Sequence, residues 1–308
     1  MDAIVTHDLT KTYQSHVGRG SVTSLDGLNL AVQQNEVFGF LGKNGAGKTT
    51  TIKLLCSLLR PTRGTASVMG FDARSRKARQ RIGYLPENPY FYEYLNPRET
   101  LDFYGQLQGL DRSERAAEWL KLSECLDLAT IADQRVRGFS KGMRQRLGFA
   151  VALVGDPPAL ILDEPMSGLD PMGRRMIREL ILRLRDEGKT IFFSSHVLGD
   201  VEQICDRVGI LVKGKLVVQG RIEELIAQRF HKVEVILHGL NETAAAALAA
   251  DAKLARVSEA GRHFVYDDLD SANEAVRAGQ AAGAKLVEFT PVRDSLEDYF
   301  MRHQEIES

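Results

Sequence analysis

Val37-Phe38-Gly39-Phe40-Leu41-Gly42-Lys43-Asn44-Gly45-Ala46-Gly47-Lys48-Thr49-Thr50 is a short apolar run that breaks into a glycine-rich turn and closes on a lysine and two threonines. The apolar run predicts a strand, and Thr51 to Leu59, halted by Pro61, predicts the helix that follows. Between them, Gly42 to Thr49 has the spacing of a phosphate-binding loop. Gly42, Gly45 and Gly47 let successive backbone N–H groups close around phosphate oxygens, where side chains would obstruct. The start of the helix adds partial positive charge toward the same anion. Lys43, Asn44, Ala46 and Thr50 complete the nucleotide contact, Lys48 is expected at the β and γ phosphates, and the Thr49 hydroxyl is a candidate Mg²⁺ ligand.

Working outward, Leu160-Ile161-Leu162-Asp163-Glu164 is an apolar run ending in two acids and stopped by Pro165. Successive side chains on an extended strand point to opposite sides, so the two carboxylates are expected to have different tasks. Asp163 is assigned to Mg²⁺, through water, and Glu164 to the water that attacks the γ-phosphate. Thr190-Ile191-Phe192-Phe193 is a third compact apolar run of the kind buried on both faces of a sheet. Such runs alternate with helical patterns, which predicts an α/β fold with crossover helices. Between about residues 88 and 137 the strand signals give way to helical ones, read as a helical insert.

After the strand Lys215 to Val218 and a helix from about Ile222 to Gln228, the pattern changes, which places a boundary at 228/229. The tail reads as strand (232–237), helix (242–252), strand pair around Gly261, helix (272–283), strand (285–289) and final helix (295–303), a small α+β domain. Charge changes at the same place: residues 1–220 hold 30 basic and 25 acidic side chains, and residues 221–308 hold 10 and 16. An acidic tail is a poor surface for phosphate backbones, so no nucleic-acid partner is expected. The longest apolar stretch, Phe149 to Leu162, is interrupted by Gly155, Asp156, Pro157 and Pro158 and falls short of the roughly 20 residues that span a bilayer. The start of the chain carries two acids and no cationic or apolar leader, so the expected location is the cytoplasm. Cys56, Cys125 and Cys205 have no metal-ligand spacing and read as reduced thiols.

Further segments occur in a telling order. Gly83-Tyr84-Leu85-Pro86-Glu87 follows the loop, then Phe139-Ser140-Lys141-Gly142-Met143-Arg144-Gln145-Arg146, then the paired acids, then Ser167-Gly168-Leu169-Asp170 and Phe193-Ser194-Ser195-His196-Val197. In this order they resemble the Q-loop, signature, Walker B, D-loop and switch histidine of the ATP-binding-cassette family, over about residues 3–225. That resemblance implies a P-loop NTPase cassette with a RecA-like core, an antiparallel β edge and a helical insert. It implies an ATPase whose catalytic residues are Glu164, His196 and Lys48, with Mg²⁺ held by Thr49, Asp163 and Glu87. Tyr13 would stack on adenine. Ser140 and the Gly142 N–H would clamp the γ-phosphate of a second ATPase subunit in a head-to-tail homodimer, and Asp170 would couple the two sites.

Glu87 stands where the family usually has Gln, and Lys141 where it usually has Gly; the Lys141 side chain is expected to point to solvent. The resemblance also implies a separate transmembrane permease subunit, contacted around Tyr90 to Tyr94, and a peripheral position on the cytoplasmic face of the membrane. The ending Ser295-Leu296-Glu297-Asp298-Tyr299-Phe300 is similar to the C-terminal extension of exporter-type cassettes. Two other readings compete. A soluble nucleic-acid or ribosome-associated cassette would show a long coiled coil or a second cassette, and neither pattern is present. A non-hydrolysing scaffold would lack one of Lys48, Asp163, Glu164 and His196.

Overall fold

The computed structural model describes residues 1–14, 20–227 and 230–293. The chain divides into two compact units, Met1–Arg221 and Ile222–Ser308. The division falls earlier than the 228/229 boundary read from the sequence, because the helix Ile222–Ala227 groups with the second unit. The expected final helix and the segment 295–300 lie outside the described residues.

The first unit opens with β1 (Asp2–Gln14), β2 (Ser21–Gln33), β3 (Val37–Leu41), α1 (Lys48–Leu55), β4 (Arg63–Val68), β5 (Phe71–Asp72), α2 (Arg76–Arg79) and β6 (Ile82–Leu85). It continues with α3 (Pro97–Gln108), α4 (Arg112–Cys125), α5 (Lys141–Leu153), β7 (Ala159–Asp163) and α6 (Pro171–Asp186). Then come β8 (Thr190–Ser195), α7 (Leu198–Ile204), β9 (Arg207–Val212) and β10 (Lys215–Arg221). Strands β2-β1-β4-β5 form an antiparallel sheet. The second sheet has the order β10-β9-β3-β8-β7-β6, parallel except for β10. This is a mixed α/β architecture in which the glycine-rich loop joins β3 to α1.

Every residue of β3, β7 and β8 is buried, and their apolar runs Val37 to Leu41, Ala159 to Leu162 and Ile191 to Phe193 suit strands covered on both faces. Helix α1 lies between the two sheets: Ile52 and Leu55 share one core cluster with Phe38, Phe40 and Phe192 of the parallel sheet and Ile4, Leu28 and Val68 of the antiparallel one. Burying each such side chain stabilises the unit by about 1.5–3 kcal/mol, so the loop that starts α1 is held from both sides. Helix α1 ends at Leu55 rather than near Leu59, because Ser57 takes a left-handed conformation (φ 61°) that no helix can continue through.

The expected insert holds α3 and α4, each opened by a capping box, Asn96 with Glu99 and Asp111 with Glu114. Within its entry loop Tyr90, Tyr92 and Tyr94 are exposed, whereas Phe91 is buried. Tyr92 meets Phe103 edge to face at 5.5 Å.

The second unit comprises α8 (Ile222–Ala227), β11 (Phe230–His238), α9 (Glu242–Ala250), β12 (Leu254–Ser258), β13 (Gly261–Tyr266), α10 (Leu269–Ala281) and β14 (Lys285–Arg293). Its antiparallel sheet has the order β12-β13-β11-β14. Val233, Val235, Leu237, Phe264 and Tyr266 pack with Ala272 and Ala275 of α10.

Candidate functional site

The carboxyl end of β3 turns into the glycine loop, and Gly47 shows why the turn tolerates no side chain. It caps α1 at φ 113°, and a Cβ there would strike the Ser24 carbonyl of β2. The loop borders a cleft of about 430 Å³ lined by Ser24, Lys43, Asn44, Gly45, Gly47, Lys48, Thr49, Thr50, Glu87, Glu164, Ser167 and His196. Gly42 and Ala46 lie beneath it: a Cβ on Gly42 would be 3.0 Å from the Ala46 Cβ and 2.7 Å from the Leu211 carbonyl. Thr50 accepts or donates a 2.9 Å bond with Ser24 Oγ, and Tyr13 Oη lies 3.5 Å from Thr50 Oγ1. The Tyr13 ring is part-exposed, with the Lys11 ammonium 5.2 Å from its centroid.

The buried Lys48 ammonium donates to the Gly42 carbonyl at 2.6 Å and lies 3.3 Å from Glu164 Oε1. The other Glu164 oxygen, Oε2, is 2.9 Å from His196 Nδ1. A carboxylate only accepts, so Nδ1 carries the proton. Lys48, Glu164 and His196 therefore form one continuous chain of contacts along the loop. Asp163 faces elsewhere: its Oδ1 accepts from Ser194 Oγ at 2.7 Å and from Thr49 Oγ1 at 3.4 Å.

The two acids diverge, but strand alternation is not the reason. β7 ends at Asp163, and Glu164 has φ 50°, a left-handed conformation uncommon outside glycine. Its backbone N–H is pinned by a 3.0 Å bond to Ser194 Oγ. Ser194, fully buried on β8, thus fixes both acids at once. Sequence reasoning quoted it only as the approach to His196; a hydroxyl at the polar end of an otherwise apolar buried strand was the available signal.

Burial pushes the Cys56 thiol and the Tyr84 hydroxyl well above their ordinary ranges, and the Asp163 charge adds to both shifts. Both groups stay neutral and are unsuited to act as bases. Glu87 is exposed and borders the cleft, yet among the described residues no three carboxylates, imidazoles or thiols gather into a metal cluster. Thr49 and Asp163 offer paired oxygens, the donor type a hard cation takes.

Ser140, Gly142 and Asp170 do not line this cleft. Ser140 is exposed and caps α5, accepting from Met143 N at 3.3 Å, and Asp170 caps α6, accepting from Gly173 N at 3.1 Å. Buried Gln145 donates to the Pro165 carbonyl at 2.8 Å, tying α5 to the loop that follows Glu164. Lys141 is exposed, as expected, and the end of its side chain passes beside Gly168.

The family profile described as ABC transporter matches residues 25–167. An uncharacterized ABC transporter ATP-binding protein of Synechocystis sp. is 41% identical over 98% of this chain and 84% of its own length. The chain belongs to the ABC transporter ATP-binding family. The bacitracin transport ATP-binding protein BcrA of Bacillus licheniformis is 38% identical, with 97% of this cassette protein and 96% of the relative covered. A solved structure described as the ATP binding subunit of an ABC transporter aligns with a TM-score of 0.65 at 29% identity, covering 72% of this chain and 91% of that one. The cassette is thus the ATP-binding subunit of an ABC transporter, and no helix among its described residues is long and apolar enough to cross a membrane.

Proposed function

We propose that this cassette hydrolyses ATP with Mg²⁺ and powers export through a separate transmembrane subunit. The observation that carries the hydrolytic part is the Lys48–Glu164–His196 chain beside the loop. Phosphates entering the loop meet its N–H groups and the start of α1. They compete for the Lys48 ammonium, and its transfer from Glu164 to phosphate frees Oε1 to accept the proton of the attacking water. Oε2 stays held by the His196 Nδ1–H. Thr49 and Asp163, with Glu87 at the rim, would hold Mg²⁺, which neutralises phosphate charge when bound. Tyr13 supplies an exposed ring for adenine.

Ser140, Gly142 and Asp170 fit a second copy rather than their own cleft. The Gly142 N–H belongs to a first helical turn, whose donors lack intrahelical partners, and Ser140 stands beside it in solvent. A head-to-tail homodimer would carry both to the opposite nucleotide. The exposed Tyr90, Tyr92 and Tyr94 suit contact with the membrane subunit, which would place the cassette on the cytoplasmic face of the membrane. Similarity to the bacitracin transport relative over 97% of the chain supports reading the second unit as the accessory domain of an exporter-type cassette.

The test is phosphate release by Glu164→Gln. Loss of a positioned base should lower kcat roughly 10²–10⁴-fold with ATP binding retained. Turnover at the wild-type rate would refute the assignment of Glu164.

A further inference from the structure

His196 is half-exposed and borders a second cavity, of about 60 Å³, together with Arg174, Ser195, Val197 and Asp200. Its place therefore depends on the backbone between β8 and α7 as well as on Glu164. Ser195 Oγ accepts the Val197 N–H at 2.9 Å and closes the turn on which His196 rides. Asp200 is the third residue of α7, the position from which Glu99 and Glu114 reach back to the N–H of the residue capping their own helices. In α7 Ser195 already holds that donor. Buried Asp200 turns instead to α6, where Arg178 Nη1 donates to Oδ1 at 3.1 Å and Arg174 Nη1 lies 3.5 Å from Oδ2. Arg174 also donates through Nε to the Leu169 carbonyl at 3.3 Å. One guanidinium thus touches both the loop after Glu164 and the helix after His196. Apolar side chains in place of a buried ion pair are often neutral or stabilising, so the packing of α6 on α7 gives by itself no reason for a charge here.

We infer that Asp200 is a positioning residue for hydrolysis: held by Arg174 and Arg178, it sets where α7 begins and, through the turn at Val197, keeps His196 against Glu164. This rests on the reading of Lys48, Glu164 and His196 as the hydrolytic chain. Asp200 does not line the nucleotide cleft, so its loss acts on turnover and spares ATP binding. Arg174 adds a second consequence, because a displacement of Leu169 reaches His196 through the same carboxylate.

The experiment measures steady-state phosphate release by the full chain. Asp200→Asn keeps the volume and removes the charge. It should lower kcat about tenfold, the cost of a misplaced group, and leave KM for ATP within about twofold. The same change made in His196→Ala should lower the residual rate less than about twofold, because a residue that acts through the imidazole has nothing left to position. Should Asp200→Asn not fold, Arg174→Gln alters a partly exposed side chain and should lower kcat about threefold with KM unchanged. Wild-type kcat in folded Asp200→Asn, or in Arg174→Gln where it takes that place, overturns the inference. An equal fall in the His196→Ala background also overturns it, because Asp200 would then support the fold alone. A His196→Ala chain with wild-type turnover overturns the hydrolytic reading itself, and is recognised before Asp200 is changed.

Discussion

Ser194→Ala removes one hydroxyl from a fully buried position and should disable the site from beneath. The hydroxyl donates to Asp163 at 2.7 Å and accepts the Glu164 N–H at 3.0 Å. A hydrogen bond to a charged group contributes about 1.5–3 kcal/mol, and a buried donor left without a partner costs about 1–3 kcal/mol. Partial relaxation makes the two losses overlap, so the expected destabilisation is about 2–4 kcal/mol. The larger effect is positional. Glu164 sits in a left-handed conformation that its neighbours must enforce, and releasing its N–H lets the carboxylate leave Lys48 and His196. A loss of about 1.4–2.8 kcal/mol of transition-state stabilisation corresponds to roughly a 10–100-fold fall in kcat. Urea titration measures the first quantity, and steady-state phosphate release measures the second, with KM for ATP little changed because the loop itself is intact. Wild-type kcat in a protein destabilised as expected would show that Ser194 supports the fold without positioning Glu164. Wild-type values of both would refute the geometry.

Gly47→Ala should abolish nucleotide binding in a protein that remains folded, since the added methyl meets the Ser24 carbonyl at a φ that alanine avoids; equilibrium dialysis with labelled ATP decides it. Cys56 is a buried thiol with raised pKa, so iodoacetamide at pH 8 should modify it only on unfolding, after the half-buried Cys125, and rapid native labelling of Cys56 would contradict the packing of α1. Removing residues 222–308 should leave ATP binding within about twofold of the full chain, because every residue lining the cleft lies in the first unit. Loss of binding would show that the second unit completes the nucleotide site.

What was legible in the sequence was local and repetitive. Val37 to Leu41, Ala159 to Leu162 and Ile191 to Phe193 carry no polar side chain, and such runs suit strands covered on both faces, so the parallel sheet followed from composition. The loop was legible because glycine spacing is a direct record of backbone geometry. What escaped was set by distant partners. The turn at Glu164 depends on Ser194 of another strand. The end of α1 was misjudged because Ser57, an ordinary residue by propensity, takes the left-handed conformation that stops it. Phe91 looked like one of a row of loop aromatics and is buried, a distinction that tertiary packing alone makes.

The decisive measurement is the structure of the Glu164→Gln chain with bound ATP. Two copies should enclose two nucleotides, with Ser140 Oγ of each within hydrogen-bond distance of the γ-phosphate seated in the other's loop. A single copy holding ATP by itself, or a pair joined through other surfaces with Ser140 in solvent, would contradict the shared site.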